Sequence, residues 1–152
     1  MRLEAFRSLF GDERSDYAAA RDRHYAQGPP GDWSSAFVSA YASMHPWEDW
    51  AETFAHYLHM VDTLETARSH GLALRPASVG GASLPTMTAR HVDFDDFEDL
   101  ITAWLPLTIA MNSLNRGMGL PDLYPFVLPD AAIRKLRLVH DVVDETARGT
   151  PS

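Results

Sequence analysis

Cysteine is absent from the 152 residues. That excludes disulfides, a thiol nucleophile, iron–sulfur ligation and any Cys-based zinc site within them. Lysine is almost absent too, Lys135 being its single occurrence beside twelve arginines. Positive charge as a whole is scarce, with 13 basic residues against 21 acidic and a net charge of −8. An acidic chain of this kind suits neither nucleic acid nor an anionic membrane surface as a partner. The longest apolar run, Leu100 to Met111, falls far short of the ~20 residues that span a bilayer. The opening MRLEAFRSLF is interrupted by Arg2, Glu4 and Arg7 and does not read as a signal peptide. A soluble, cytoplasmic protein is expected. One more absence bears on catalysis: none of the seven histidines is followed by Glu, so the HExxH zinc motif does not occur.

What is present is helical periodicity. The 45% hydrophobic content supports a packed core, and the length fits a single helical domain over residues 1–152. The pattern predicts an all-α fold of five or six helices with one long, central, amphipathic helix. The first runs from Leu3 to Phe10. A second, capped by Asp12, reaches about Ala26. Gly28-Pro29-Pro30-Gly31 is a turn, and Asp32 then caps a third helix with Trp33, Ala36, Phe37, Ala40, Tyr41 and Met44 on one stripe. Pro46 opens the long helix, which ends near Gly71. Residues 72–92 have no helical period and read as a long loop. Asp93 caps a further helix with Phe94, Phe97, Leu100, Ile101, Trp104, Leu105, Thr108 and Met111 on its apolar face. Asn115 to Pro129 is irregular, and a last helix covers Asp130 to Ala147 with Ile133, Leu136, Val139 and Val143 inward.

The long helix carries the candidate chemistry. On a wheel of 100° per residue, Trp47, Trp50, Phe54, Leu58, Val61 and Leu64 gather on one side, the expected core face. Glu48, Glu52, His56, His59 and Thr63 lie opposite, within about 40° of Glu52, with His45 just ahead of them. Solvated helix faces usually alternate Glu with Lys or Arg at i+4, yet no Lys or Arg occurs between Arg23 and Arg68. Carboxylate and imidazole without ammonium is the donor set that a divalent metal selects. Two readings stand side by side: an ordinary solvated face, or a metal or catalytic stripe in which Glu52, His56 and His59 could hold zinc between them. Asn112, Asn115 and Arg116 either line a groove or hydrogen-bond a loop. His140 reads as a surface residue or a cap.

The segments FRSLFGDERSDY, HYAQGPPGDW, FVSAYASMHPWEDWAETFAHYLHMVDTLETA and WLPLTIAMNSLNRGMGLPDLYPFVL together resemble the C-terminal part of the putative zinc-binding metallopeptidase family of bacterial proteins. The resemblance extends from about Phe6 to His140. In that family a zinc-ribbon-like region precedes an HExGH helix that supplies two histidine ligands and the catalytic glutamate. A later, gluzincin-like AExxA element supplies the third ligand. Here that element reads Ala51-Glu52-Thr53-Phe54-Ala55, so the resemblance implies Glu52 as a zinc ligand in a hydrolase that cleaves peptide bonds. Of His45, Tyr41, His56 and Tyr57, the residues near Glu52 that could donate to an oxyanion, His45 is the favoured catalytic candidate. The cysteine-rich region and the HExGH helix have no counterpart in these residues. The expectation is a truncated C-terminal portion, inactive and without tight zinc by itself, with a peptide or protein as substrate of the complete enzyme. Self-association through apolar surface bared by the missing region is also expected. The alternative is a free-standing helical interaction module without catalysis.

Overall fold

The computed structural model describes residues 2–76, 86–124 and 128–149. Among them are five α-helices: α1 (Arg2–Phe10), α2 (Tyr17–Gln27), α3 (Pro46–Ser69), α4 (Phe97–Gly117) and α5 (Asp130–Gly149). The fold is mostly α, as the periodicity predicts. None of these helices is long and apolar enough to cross a membrane. The chain divides into two compact units, residues 1–57 with 128–152, and residues 58–127, so the division falls within α3.

In the first unit, α1 packs on α5. Phe6 and Phe10 stack at 5.0 Å between ring centroids, and the Trp50 ring meets Phe10 edge-on at 5.4 Å. The start of α2 corrects the sequence reading. Its N-cap is Asp16, which accepts from the Ala19 amide at 3.0 Å. Asp12 is turned instead toward Arg14, taking both its amide and its guanidinium. The helix expected from Trp33 to Met44 is also corrected, to two short 3-10 turns at Trp33–Ser35 and Tyr41–Met44. Hydroxyls compete for the backbone there. The Ser39 Oγ accepts from the Ala42 amide at 3.1 Å, and the Ser43 hydroxyl donates to the Ala40 carbonyl at 2.6 Å. Val38 and Ala42, which lie off the expected stripe, are buried against Ala132 of α5, with Phe37 of the stripe beside them.

In the second unit, the later turns of α3 bury Met60, Leu64 and Ala67, and α4 buries Phe97, Leu100, Trp104 and Leu107. The N-cap of α4 is Asp96, which accepts from the Glu98 amide, and not Asp93. The helix runs through Pro106, which is buried. Gly71 ends α3 at φ 65°, a left-handed conformation that costs glycine least, while the Leu72 amide reaches back to the Ala67 carbonyl at 2.8 Å. The long segment after it is not all loop. Ala73–Leu74 (β1) pairs antiparallel with Met87–Thr88 (β2), Ala73 opposite Thr88, and a 3-10 turn follows at Ala89–His91. Much of the remaining loop reading falls on 77–85, outside the described residues.

The length and place of α3 agree with the sequence, but of its expected core face only Leu64 is buried. The buried residues are Asp49, Thr53, His56, Tyr57, Met60, Leu64 and Ala67, while Trp47 is 55% exposed and Leu58 40%. Trp50, Phe54 and Val61 are only half-buried. The core face is therefore rotated by roughly 100°, one residue's turn. Partners of Asp49 and Tyr57 on α5 account for the rotation in the first unit.

Candidate functional site

The turn into α3 is set by His45, whose extended backbone and side chain cap the helix. Its carbonyl accepts from the Asp49 amide at 2.9 Å, and its Nδ1 accepts from the Trp47 amide at 3.1 Å. An accepting Nδ1 places the ring proton on Nε2. That N–H faces Ser15, with the carbonyl oxygen at 3.0 Å and the hydroxyl at 2.9 Å. His45 is 3% exposed. Both ring nitrogens are engaged, one as acceptor and one as donor. Tyr17 and Trp47 pack their rings around it at 5.2 and 5.1 Å.

The two glutamates of the stripe are each held by a hydroxyl from outside α3. The Tyr17 hydroxyl donates to Glu48 Oε1 at 2.7 Å, and this bond, with burial, pushes the phenol up to about 12. The Ser39 hydroxyl donates to Glu52 Oε2 at 2.9 Å. Because Ser39 Oγ also accepts the Ala42 amide, its own proton is directed at Glu52. The carboxylate is half-buried, and Ser39 contacts it through one oxygen, Oε2.

The stripe does not stay together beyond Glu52. His56 turns into the core, while His59 is exposed with its ring 5.8 Å from Tyr124. Among the described residues, no group of three His, Asp or Glu side chains is gathered so as to hold a metal ion. A catalytic zinc takes three protein ligands and a water. Glu52 fits the part of a single carboxylate ligand, and the described residues do not supply the rest of the set.

One buried arrangement escaped the sequence reading. Lys135, the lone lysine, lies inside the first unit and reaches Asp49 Oδ2 at 2.6 Å, with side chains 5% and 1% exposed. It also donates to the Ala36 carbonyl at 2.9 Å and sits over the Phe37 ring at 4.1 Å and the Phe10 ring at 5.5 Å. Burial raises the Asp49 carboxyl to about 6, although Lys135 pulls it down. Lys135 thus ties α1, the segment carrying Ser39, α3 and α5 at one point, one turn ahead of Glu52. The available signal was the lone lysine among arginines, next to Leu136 on an amphipathic helix. His140, expected at the surface, is likewise buried and bonded to the Tyr57 hydroxyl at 3.0 Å. Asn112, Asn115 and Arg116 take the loop role: Asn112 pairs with the Tyr124 carbonyl and Leu123 amide, Asn115 with Pro121, and Arg116 with Asp122.

Comparison with known proteins points one way. The model of a family described as "Putative zinc-binding metallo-peptidase" matches residues 1–142. Uncharacterized proteins of Mycobacterium bovis and of two Mycobacterium tuberculosis strains, CDC 1551 and H37Rv, are each 52% identical over 145 residues. Each alignment covers 95% of this chain and 40% of the relative, so the chain spans about two fifths of their length. No solved structure matches.

Proposed function

Since the chain belongs to the putative zinc-binding metallo-peptidase family, we propose that α3 contributes Glu52 as one zinc ligand to a centre that hydrolyses peptide bonds. The observation that carries this reading is the Ala51–Ala55 element on a rigid helix, with the Glu52 carboxylate half-buried and oriented by Ser39. Hydrogen bonds to a ligating carboxylate fix its orientation, and Ser39 is suited to that work. When bound, zinc would supply Lewis acidity and a water acidified to about pKa 7. The two histidines and the general base are assigned to an HExGH segment, which the 152 residues do not contain. On this reading the chain is a C-terminal portion, inactive alone, of a cytoplasmic enzyme acting on a peptide or protein. For His45 the geometry supports capping α3 and fixing its entry; donation to an oxyanion would require its Nε2–H to leave Ser15.

The test joins this chain to an HExGH-bearing segment of a longer family member and measures zinc by elemental analysis after a chelator wash. Stoichiometric zinc that is lost in Glu52→Ala is the expected result. Zinc that survives Glu52→Ala moves the third ligand elsewhere, Glu48 being next. Tight zinc in the short chain that disappears in His56→Ala or His59→Ala would establish a self-contained site. A fusion with neither zinc nor hydrolysis would favour the interaction module.

A further inference from the structure

The later turns of α2 place Ala20, Arg23, His24 and Gln27 within an arc of about 100° on one face. Gly28 at φ 78° then turns the chain, and Pro29 and Pro30 stiffen the bend without offering an N–H. With Ser43 and Met44 these residues line a cavity of about 270 Å³, all of it in the first unit. Its walls are of two kinds. Ala20, Pro29, Pro30 and Met44 are apolar, and Ala20 and Met44 are buried. Arg23, His24 and Gln27 bring side-chain N–H groups.

Those donors are unclaimed. Among the described residues, none of the three side chains has a hydrogen-bond or ion-pair partner, and no carboxylate lines the cavity. The carboxylates nearest in sequence lie elsewhere: Asp22 takes the Arg21 guanidinium at 2.7 Å, and Asp32 is not part of the lining. The Ser43 hydroxyl gives its proton to the Ala40 carbonyl at 2.6 Å. The half-buried His24 ring is steadied by edge-on contacts with Tyr25 and Tyr41, each at 5.9 Å. Basic side chains also suit the dipole at a helix C-terminus, but that role calls for neither the Gln27 amide nor the apolar walls.

We propose that this cavity binds a small ligand bearing a carboxylate, held by Arg23 and Gln27, with its apolar part against Pro29, Pro30 and Met44. The planar fork of an arginine matches the two oxygens of a carboxylate, and the i, i+4 spacing sets the Gln27 amide beside it. His24 supplies a further donor on the same face. The volume falls just below the roughly 300–1,000 Å³ of sites for drug-sized ligands, which suits a ligand of amino-acid size or the last residue of a peptide. The proposal is independent of Glu52 and zinc.

Titration of the 152-residue chain with N-acetylalanine, followed by amide chemical shifts, tests it. Saturable shifts are expected at Arg23, His24, Gln27, Gly28, Ser43 and Met44, with a dissociation constant on the order of 1 mM or below. N-acetylalaninamide, which lacks the charge, should not produce them. Arg23→Gln should weaken binding by on the order of tenfold or more. Arg23→Lys, which keeps the charge and loses the fork, should recover only part of it. Both change an exposed side chain and should keep the helical circular dichroism of the parent. Arg75→Gln, at an exposed arginine of the second unit, should bind as the parent does. An N-acetylated tetrapeptide ending in alanine separates the two sources: equal affinity admits a peptide C-terminus, and binding of N-acetylalanine alone assigns a free small carboxylate. The proposal is overturned if the parent shows no saturable shifts, if the amide binds as well as the acid, or if Arg23→Gln binds as the parent does. It is also overturned if inorganic phosphate saturates these residues and N-acetylalanine does not.

Discussion

Lys135→Met is the sharpest test of how the first unit is held together. Lys135 is buried against Asp49 at 2.6 Å, the Ala36 carbonyl at 2.9 Å and the rings of Phe37 and Phe10. Methionine keeps most of the apolar stem and so leaves little cavity. What it removes is the charge. Asp49 is left 1% exposed with Thr53 at 3.4 Å, too long to replace an ammonium. Removing one partner of a buried pair costs about 3–5 kcal/mol. At ~2–4 °C per kcal/mol for a chain of this size, the midpoint should fall by roughly 6–20 °C. Thermal unfolding followed by circular dichroism measures the midpoint, and urea unfolding the free energy. The cost should shrink at pH 5, where Asp49, raised to about 6 by burial, takes up a proton and no longer needs a cation. The double variant Asp49→Leu/Lys135→Met removes both charges and should return to within about 1 kcal/mol of the parent, or exceed it. If Lys135→Met lies within about 1 kcal/mol of the parent at pH 7–8, or the double variant is as unstable as the single, the ion pair does not hold this unit together.

Other outcomes follow from the same geometry. The folded state holds the Asp49 carboxyl above its unfolded value, so its contribution is fully present below about pH 4 and is lost as pH rises through about 6; Asp49→Asn should remove that slope from a pH series of unfolding midpoints. Leu64→Ala, at a site with no exposure, should cost about 2–5 kcal/mol, whereas Leu58→Ala should cost under about 1; equal losses in urea unfolding would return the core face to the side the sequence suggested. Asp16→Ala should cost about 1 kcal/mol through loss of the α2 cap and Asp12→Ala less, the reverse order of what the sequence suggests.

The sequence by itself determined most of the architecture. Apolar spacing located α1, α3, α4 and α5, and Pro46 and Gly71 bounded the long helix, because a 3.6-residue period and the backbone limits of proline and glycine are local properties. The residues around the Ala51–Ala55 element were legible too, since a rigid helix keeps neighbouring side chains at fixed angles. Composition could not say which angle faces inward. Trp47, Trp50, Phe54 and Leu58 are the more apolar set, yet the structure buries Asp49, Thr53 and Tyr57. Their partners Lys135 and His140 come from α5, far away in sequence. The same holds for the expected third helix, where Ser39 and Ser43 turned the backbone toward local hydroxyl bonds and let Ser39 meet Glu52. The sequence also set Glu52, His56 and His59 on one stripe, but burial decides which of them solvent reaches, and it takes His56 into the core while His59 stays outside. Only tertiary packing decides these points. A buried charge is stable only beside its partner, and which residue that partner is depends on how distant segments meet.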